Sequence, residues 1–213
     1  MAMITVSREY GSGGALIAEQ TAQALNWTVI DQNLVERVAE RIGLPTEDVA
    51  RRDERVPTLL ERLAKSLTVS SPEVFMASAG IPTETVGDDE LLSMTQAVIT
   101  ELAAQGNAVL VGRGGQACLE NRADMLHVRV IAPREHRISA IVKRKDVSSE
   151  DAEKMMDEID TARKAYLSTH YGIRWDDPSL YHLTINTGKL SYEASTKLIV
   201  AALEELNAAR QQS

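Results

Sequence analysis

A single cysteine, Cys118, stands in the 213 residues, so no intrachain disulfide can form and an oxidising compartment gains no support. Its simplest role is that of a small buried hydrophobe. Long apolar runs are missing as well. Arg8 and Glu9 interrupt the first apolar stretch, and nowhere do the roughly 18 uncharged apolar residues of a membrane-spanning helix occur together. A cytoplasmic protein with no membrane partner is the expectation. Positive charge is in deficit: 23 Lys and Arg against 31 Asp and Glu give a net charge of -8, which argues against a broad nucleic-acid surface. The four histidines, His127, His136, His170 and His182, lack the HxxxH or carboxylate spacing of a metal site and read as structural. The methionines and the two tryptophans are scattered, which suits core filling and surface packing better than a cofactor box.

What is present is an ordinary globular composition, 44% hydrophobic and 25% charged, with length enough for a sizeable core. One domain spanning 1–213 is expected, with an insertion at about 32–87. Short β-rich or apolar runs at 3–7, 27–31, 108–112, 125–132 and 181–187 alternate with helical periodicity at 14–25, 33–43, 90–106, 133–145, 150–172 and 192–210. Between 46 and 87 the pattern weakens and Pro/Gly-marked polar stretches interrupt it. Five strands separated by helices predict an α/β fold, a parallel sheet with helices on both faces.

The sharpest local signal is SREYGSGG at 7–14, directly after the first strand and opening the first helix. Main-chain N–H groups at such a turn, together with the positive end of the helix dipole, make an anion site. Glycine lets the backbone approach phosphate oxygens closely. By letter the segment departs from GxxxxGK(S/T): with Gly13 as the second glycine, Arg8, Gly14 and Ala15 stand where glycine, lysine and Ser/Thr are usual. That removes a cation for the terminal phosphates and a hydroxyl for magnesium; the Arg8 guanidinium is suited to replace the charge. A dinucleotide-binding reading competes, because Gly11, Gly13 and Asp31 imitate its first two glycines and its acidic residue. Its third glycine would fall on Leu16, a residue too bulky for close helix packing. A plain structural turn is the third alternative.

Seven blocks in order, ITVSREYGSGG, VID, VLVGRGG, VRVIAP, VKRK, DTARKAYLSTHYG and YHLTINTGKLSYE, resemble the cytidylate kinase-like family over nearly the whole chain. The resemblance implies a three-layer P-loop kinase fold with a five-stranded parallel sheet, a helical nucleoside monophosphate-binding insertion after the second strand, and a lid at about 143–172. It implies ATP and Mg2+ as cofactors and small-molecule nucleotides as partners. It places Gly11, Ser12, Gly13, Gly14 and Ala15 at the donor phosphates. Asp31 and Arg113 fall at the acceptor, and Arg8, Arg144 and Arg163 act on the transferring group. Arg113 resembles the arginine of a GRD segment, but Gly114 replaces the aspartate, which weakens the case for cytosine specificity. Homodimerisation stays open.

Each candidate also has a bland reading. Arg113 ends an apolar strand, where open α/β sheets bind ligands, and an ion pair capping the sheet is its alternative. Asp31 serves equally well as a helix N-cap. Arg134, Arg137 and Arg144 share one helical face, and Asp160 is set to orient Arg163 one turn later rather than to act as a base. The expected activity is transfer of the γ-phosphoryl group of ATP to a nucleoside monophosphate, CMP or dCMP by resemblance. The alternatives are a nucleotide-binding protein without transfer activity, suggested by Gly14 and Ala15, and a nicotinamide-dependent oxidoreductase.

Overall fold

The computed structural model describes residues 2–30, 88–120 and 122–211. Asp31, the helix expected at 33–43 and the insertion therefore lie outside the described residues. The elements are β1 (Met3–Arg8), α1 (Gly14–Leu25), β2 (Thr28–Ile30), α2 (Asp88–Gln105), β3 (Ala108–Val111), α3 (Gly115–Cys118), β4 (Met125–Ile131), α4 (Arg134–Lys145), α5 (Ser149–Tyr171), β5 (Leu183–Asn186) and α6 (Tyr192–Gln211), with a 3-10 turn at Pro178–Leu180. Within the described residues the expected strands and helices recur within a residue or two of their periodic limits. The four-residue α3 follows a motif whose periodicity was too short to register.

The strands form one parallel sheet in the order β2-β3-β1-β4-β5, with Met3 level with Ala108 on one side and Met125 on the other. Strand alternation divides the core into two layers. Ile4, Val6, Val109, Val111, Leu126, Val128 and Val130 face a layer completed by Ile17, Ala18 and Ala22 of α1 and Ile199 and Leu203 of α6. Met3, Ala108, Leu110 and Met125 face the other, where Val98, Ile99, Leu102 and Ala103 of α2 cover them. Apolar residues on both sides of one strand are what a doubly covered sheet requires. Each fully buried side chain of this size contributes about 1.5–3 kcal/mol. A third, smaller cluster joins Ile141 of α4 to Ala152 and Met156 of α5, with Tyr10 packed against it.

Local chemistry sets the ends. Asn26 takes the left-handed conformation at the C-cap of α1 and Gly172 does so after α5. Ser148 opens α5 by accepting the Asp151 amide, so the VSSED break expected between the helical tracts 133–145 and 150–172 is a cap. No described helix is long and apolar enough to cross a membrane.

With β1 between β3 and β4, the sheet departs from the dinucleotide-binding order 3-2-1-4-5-6, in which the first two strands are neighbours. Leu16 is 48% exposed and obstructs nothing; the tight approach falls at Gly14 instead, where a Cβ would lie 2.5 Å from the Arg8 Cβ. The sheet order therefore counts against the nicotinamide reading, although Leu16 raises no obstruction to it and Asp31 lies outside the described residues.

Candidate active site

The turn between β1 and α1 is held from outside. Ser12 is fully buried, and its hydroxyl donates to the carbonyls of Glu9 (2.8 Å) and Val130 (3.2 Å), while its own carbonyl accepts from Thr187 Oγ1 (2.7 Å). The Tyr10 amide donates to Asp160 Oδ1 at 2.8 Å. Gly11 and Gly13 have φ of 83° and 80°, and a Cβ on Gly13 would fall 2.4 Å from the Tyr192 ring. Among the described residues, the amides of Gly11, Gly13, Gly14 and Ala15 donate to no main-chain carbonyl. At the start of a helix these are donors in need of an acceptor.

Beside the turn, at the carboxyl ends of β1 and β3, lies a cleft lined by Ser7, Arg8, Gly112, Arg113, Gly114, Gln116, Arg163, Tyr166, Leu167 and Trp175. Three arginines from three elements meet in it. The Arg8 stem crosses Gly14, and its guanidinium lies against Gly112, where a Cβ would be 2.0 Å from Nη1. Two glycines thus house one arginine, and a lysine at position 14 would collide with its stem. Arg163 reaches across from α5, donating to the Arg8 carbonyl at 2.8 Å. Burial, reinforced by the charges of Arg8 and Arg113 and opposed by Asp160, pushes the Arg163 guanidinium down to about 9. Cations gathered at this cost are poised for an anion.

Gly112, Arg113 and Gly114 have φ of 79°, 62° and 65°. Two can be glycine, but Arg113 adopts the left-handed region with a full side chain, at a cost of about 1 kcal/mol or more. Gly114 has its own reason: a Cβ there would lie 2.7 Å from the Tyr171 ring. An aspartate at 114 would require the Tyr171 ring to shift. Burial raises the phenol of Tyr166, which stays neutral.

The remaining expected residues divide. Arg144 lies outside the cleft lining, its guanidinium 5.2 Å from the centre of the Tyr10 ring, which Arg163 also approaches at 5.9 Å. Arg134 pairs with Glu153 and Asp157 on the surface, both at 2.6 Å, and is spent in joining α4 to α5. Arg137 pairs with Asp160 and Glu9. Asp160 touches Arg163 only at 3.4 Å; its stronger partners are the Tyr10 amide and Arg137, so it anchors the glycine turn as well as orienting an arginine. Ala15 is exposed at the second position of α1. His127 and His182 stack at 5.2 Å away from the cleft, with Thr5 Oγ1 2.8 Å from His127 Nδ1, as structural histidines do.

Residue patterns gave no warning of Gln116 or Trp175. Trp175 has the burial of a core residue, 4% exposed, yet forms a cleft wall, donating from Nε1 to Ser7 Oγ at 2.7 Å. Arg129 lies 5.0 Å from its ring and donates to its carbonyl. The WDD run offered no periodicity from which to read this.

Sheet order, glycine turn and arginine cleft together define a P-loop kinase fold. A solved structure of an uncharacterised protein from Eubacterium ventriosum superposes over 96% of this chain and 99% of its own, with TM-score 0.68 and 19% identity. A gluconokinase from Sinorhizobium meliloti does so over 100% and 97%, with TM-score 0.51 and 14% identity. The chain belongs to the cytidylate kinase-like family, whose model matches residues 3–189. A cytidylate kinase of Pyrococcus horikoshii is 37% identical over 108 residues, 50% of this chain and 55% of that protein, so the match spans about half its length. A cytidylate kinase of Staphylothermus marinus is 31% identical over 69% of this chain and 78% of its own.

Proposed function

We propose that the chain transfers the γ-phosphoryl group of ATP to the phosphate of a nucleoside monophosphate, with CMP and dCMP as the first acceptors to test. The observation that carries this reading is the composition of the cleft: three arginines converge there, and its described lining holds no carboxylate. A hydroxyl acceptor calls for a base to take its proton, whereas a phosphate acceptor is already anionic and needs only cations and orientation. Family membership and the curated cytidylate kinases point the same way.

In this scheme the amides of Gly11, Gly13, Gly14 and Ala15 hold the donor phosphates at the head of α1, with Ser12 fixing the turn. Arg8 supplies the charge that the missing lysine would have carried. It lies between the turn and Arg113, which holds the acceptor phosphate; Asp31, outside the described residues, keeps its expected place near the acceptor nucleotide. Arg163 stabilises charge spreading over the equatorial oxygens of the transferring group, and Arg144 joins it by leaving the Tyr10 ring. The segment at about 143–172 acts as the lid that keeps water away from the reacting phosphate.

Magnesium does not fit the described residues at the head of α1. Ala15 has no oxygen to offer and the Ser12 hydroxyl is committed to two carbonyls. No step is therefore assigned to a protein-bound metal.

A coupled assay for ADP with a panel of nucleoside monophosphates tests the proposal. Turnover above ATP hydrolysis with at least one of them is expected; background rates with every acceptor would overturn it. The second reading, nucleotide binding without transfer, draws on Gly14 and Ala15, and predicts thermal stabilisation by ATP with no turnover.

A further inference from the structure

Two helices grip the glycine turn through one largely buried ion pair. The side chains of Arg137, on α4, and Asp160, on α5, are 11% and 14% exposed, and the guanidinium donates to Asp160 Oδ2. The pair closes on the peptide groups of Tyr10, whose amide donates to Asp160 Oδ1 at 2.8 Å and whose carbonyl accepts from Arg137 at 3.4 Å. The backbone of α4 rests there too, since a Cβ on Gly11 would lie 2.8 Å from the Arg137 carbonyl. Glu9 flanks the arrangement: its carboxylate accepts the Ala132 amide at 3.1 Å and lies 3.5 Å from Arg137 Nε and 3.8 Å from Arg129.

The placement of Arg163 depends on the same pair. It donates to the Arg8 carbonyl and lies 3.4 Å from Asp160 Oδ1, while lining the cleft. A carboxylate shielded from water draws in a cation, because an uncompensated buried charge is costly. With Arg137 on its other oxygen, Asp160 is compensated, and Arg163 keeps its charge for the cleft. Among the described ion pairs, removal of Arg137 would leave Arg163 as the one cation beside Asp160. Drawing it inward would displace the cleft cation and loosen the Tyr10 peptide together.

We infer that Arg137, which does not line the cleft, is a positioning residue: by compensating Asp160 it holds the glycine turn and Arg163 in one frame before any nucleotide arrives. Its kinetic consequence rests on the proposed phosphoryl transfer, whereas its hold on Tyr10 does not, so the two fail separately.

The intact protein is compared with Arg137→Met, Arg137→Lys and Arg134→Met, the last as control because Arg134 joins the same two helices at the surface. Hydrogen exchange without nucleotide reads the hold on the turn. Measured against the slowest amides of β4, the Tyr10 amide should exchange about tenfold faster in Arg137→Met and no faster in Arg134→Met. With the acceptor that the wild type uses best, Arg137→Met should lower kcat by about tenfold or more at temperatures where it is folded, and Arg137→Lys by only about threefold, since a cation stays on Asp160. In an Arg163→Met background, Arg137→Met should cost less than about twofold, because its effect runs through Arg163. Unchanged exchange at Tyr10, equal effects of Arg134→Met and Arg137→Met, or losses that add in the double variant would each overturn the inference. Should Arg137→Met not fold, Arg137→Lys decides: about threefold faster exchange at Tyr10, and a kcat loss that vanishes in the Arg163→Met background, sustain the inference, and their absence overturns it. A wild type that transfers no phosphoryl group defeats the kinase assignment. The double-variant cycle is then read on tripolyphosphate affinity by titration calorimetry, where non-additive losses sustain the inference, additive ones overturn it, and a wild type that binds no tripolyphosphate overturns both.

Discussion

Arg163 shows how a candidate residue is legible as an energetic anomaly. Its guanidinium is held below its usual range because it is buried beside two other arginines. The folded chain therefore binds its proton less readily than the unfolded chain does. Below about pH 9 the native state carries that penalty in full, and it is relieved only as the pH rises through 9 toward the unfolded value. Replacing Arg163 with methionine should leave the melting temperature unchanged or raise it, while lowering kcat by about a thousandfold. Parallel melting curves and ADP assays check both halves. His127 carries the opposite lesson. Burial first, and then the nearby His182, bring it down to about 4 from 6.5. A depressed histidine stabilises the fold above pH 6.5, and that contribution is lost as the pH falls through 4. It amounts to about 3 kcal/mol, enough to matter for a domain of marginal stability. Chemical denaturation at pH 7 and pH 4 should show the loss, and His127→Gln should flatten the difference.

At the scale of elements, the site is a junction of strand ends. Arg8 closes β1, Arg113 follows β3, and Arg163 comes from the long helix α5. Gly112→Ala should cost about 1 kcal/mol or more of stability from its left-handed backbone, and it should also expel the Arg8 guanidinium. Transfer activity in Gly112→Ala should thus fall about as far as in Arg8→Ala, with the double variant little worse than either. A double-mutant cycle on kcat/KM reads this directly, and additive losses would mean that the two residues act apart. The same junction explains what could be foreseen. Strand alternation and helical spacing depend on near neighbours, so β1, α1 and α6 were visible as patterns. The approach of Arg8 to Gly112 joins positions about a hundred residues apart, and no local pattern encodes it. The motif blocks named Arg8, Arg113 and Arg163, whereas Gln116 and Trp175 belong to the cleft only once β3 and the segment after α5 are brought side by side. Arg134 shared a face with Arg144, yet α5 set acids against it.

For the whole molecule, the sheet supplies a rigid frame whose two layers bury their apolar faces independently of the cleft. Cations assembled on such a frame are relieved by any anion that fits. ATP at a hundred times its dissociation constant should stabilise the native state by about 2.7 kcal/mol, which for a chain of this length raises the melting temperature by roughly 5–10 °C. Differential scanning calorimetry with and without nucleotide measures it, and the shift should shrink in Arg8→Ala.

The chain contains only two indole rings. Trp27 packs on the layer formed with α1 and α6, while Trp175 is fastened to Ser7 and faces the cleft. With Trp27 exchanged for phenylalanine, the indole emission would come from one ring that lines the arginine cleft and has the Arg129 guanidinium 5.0 Å from its centre. Filling the cleft would register as a change in its colour and intensity, and no dye need be attached.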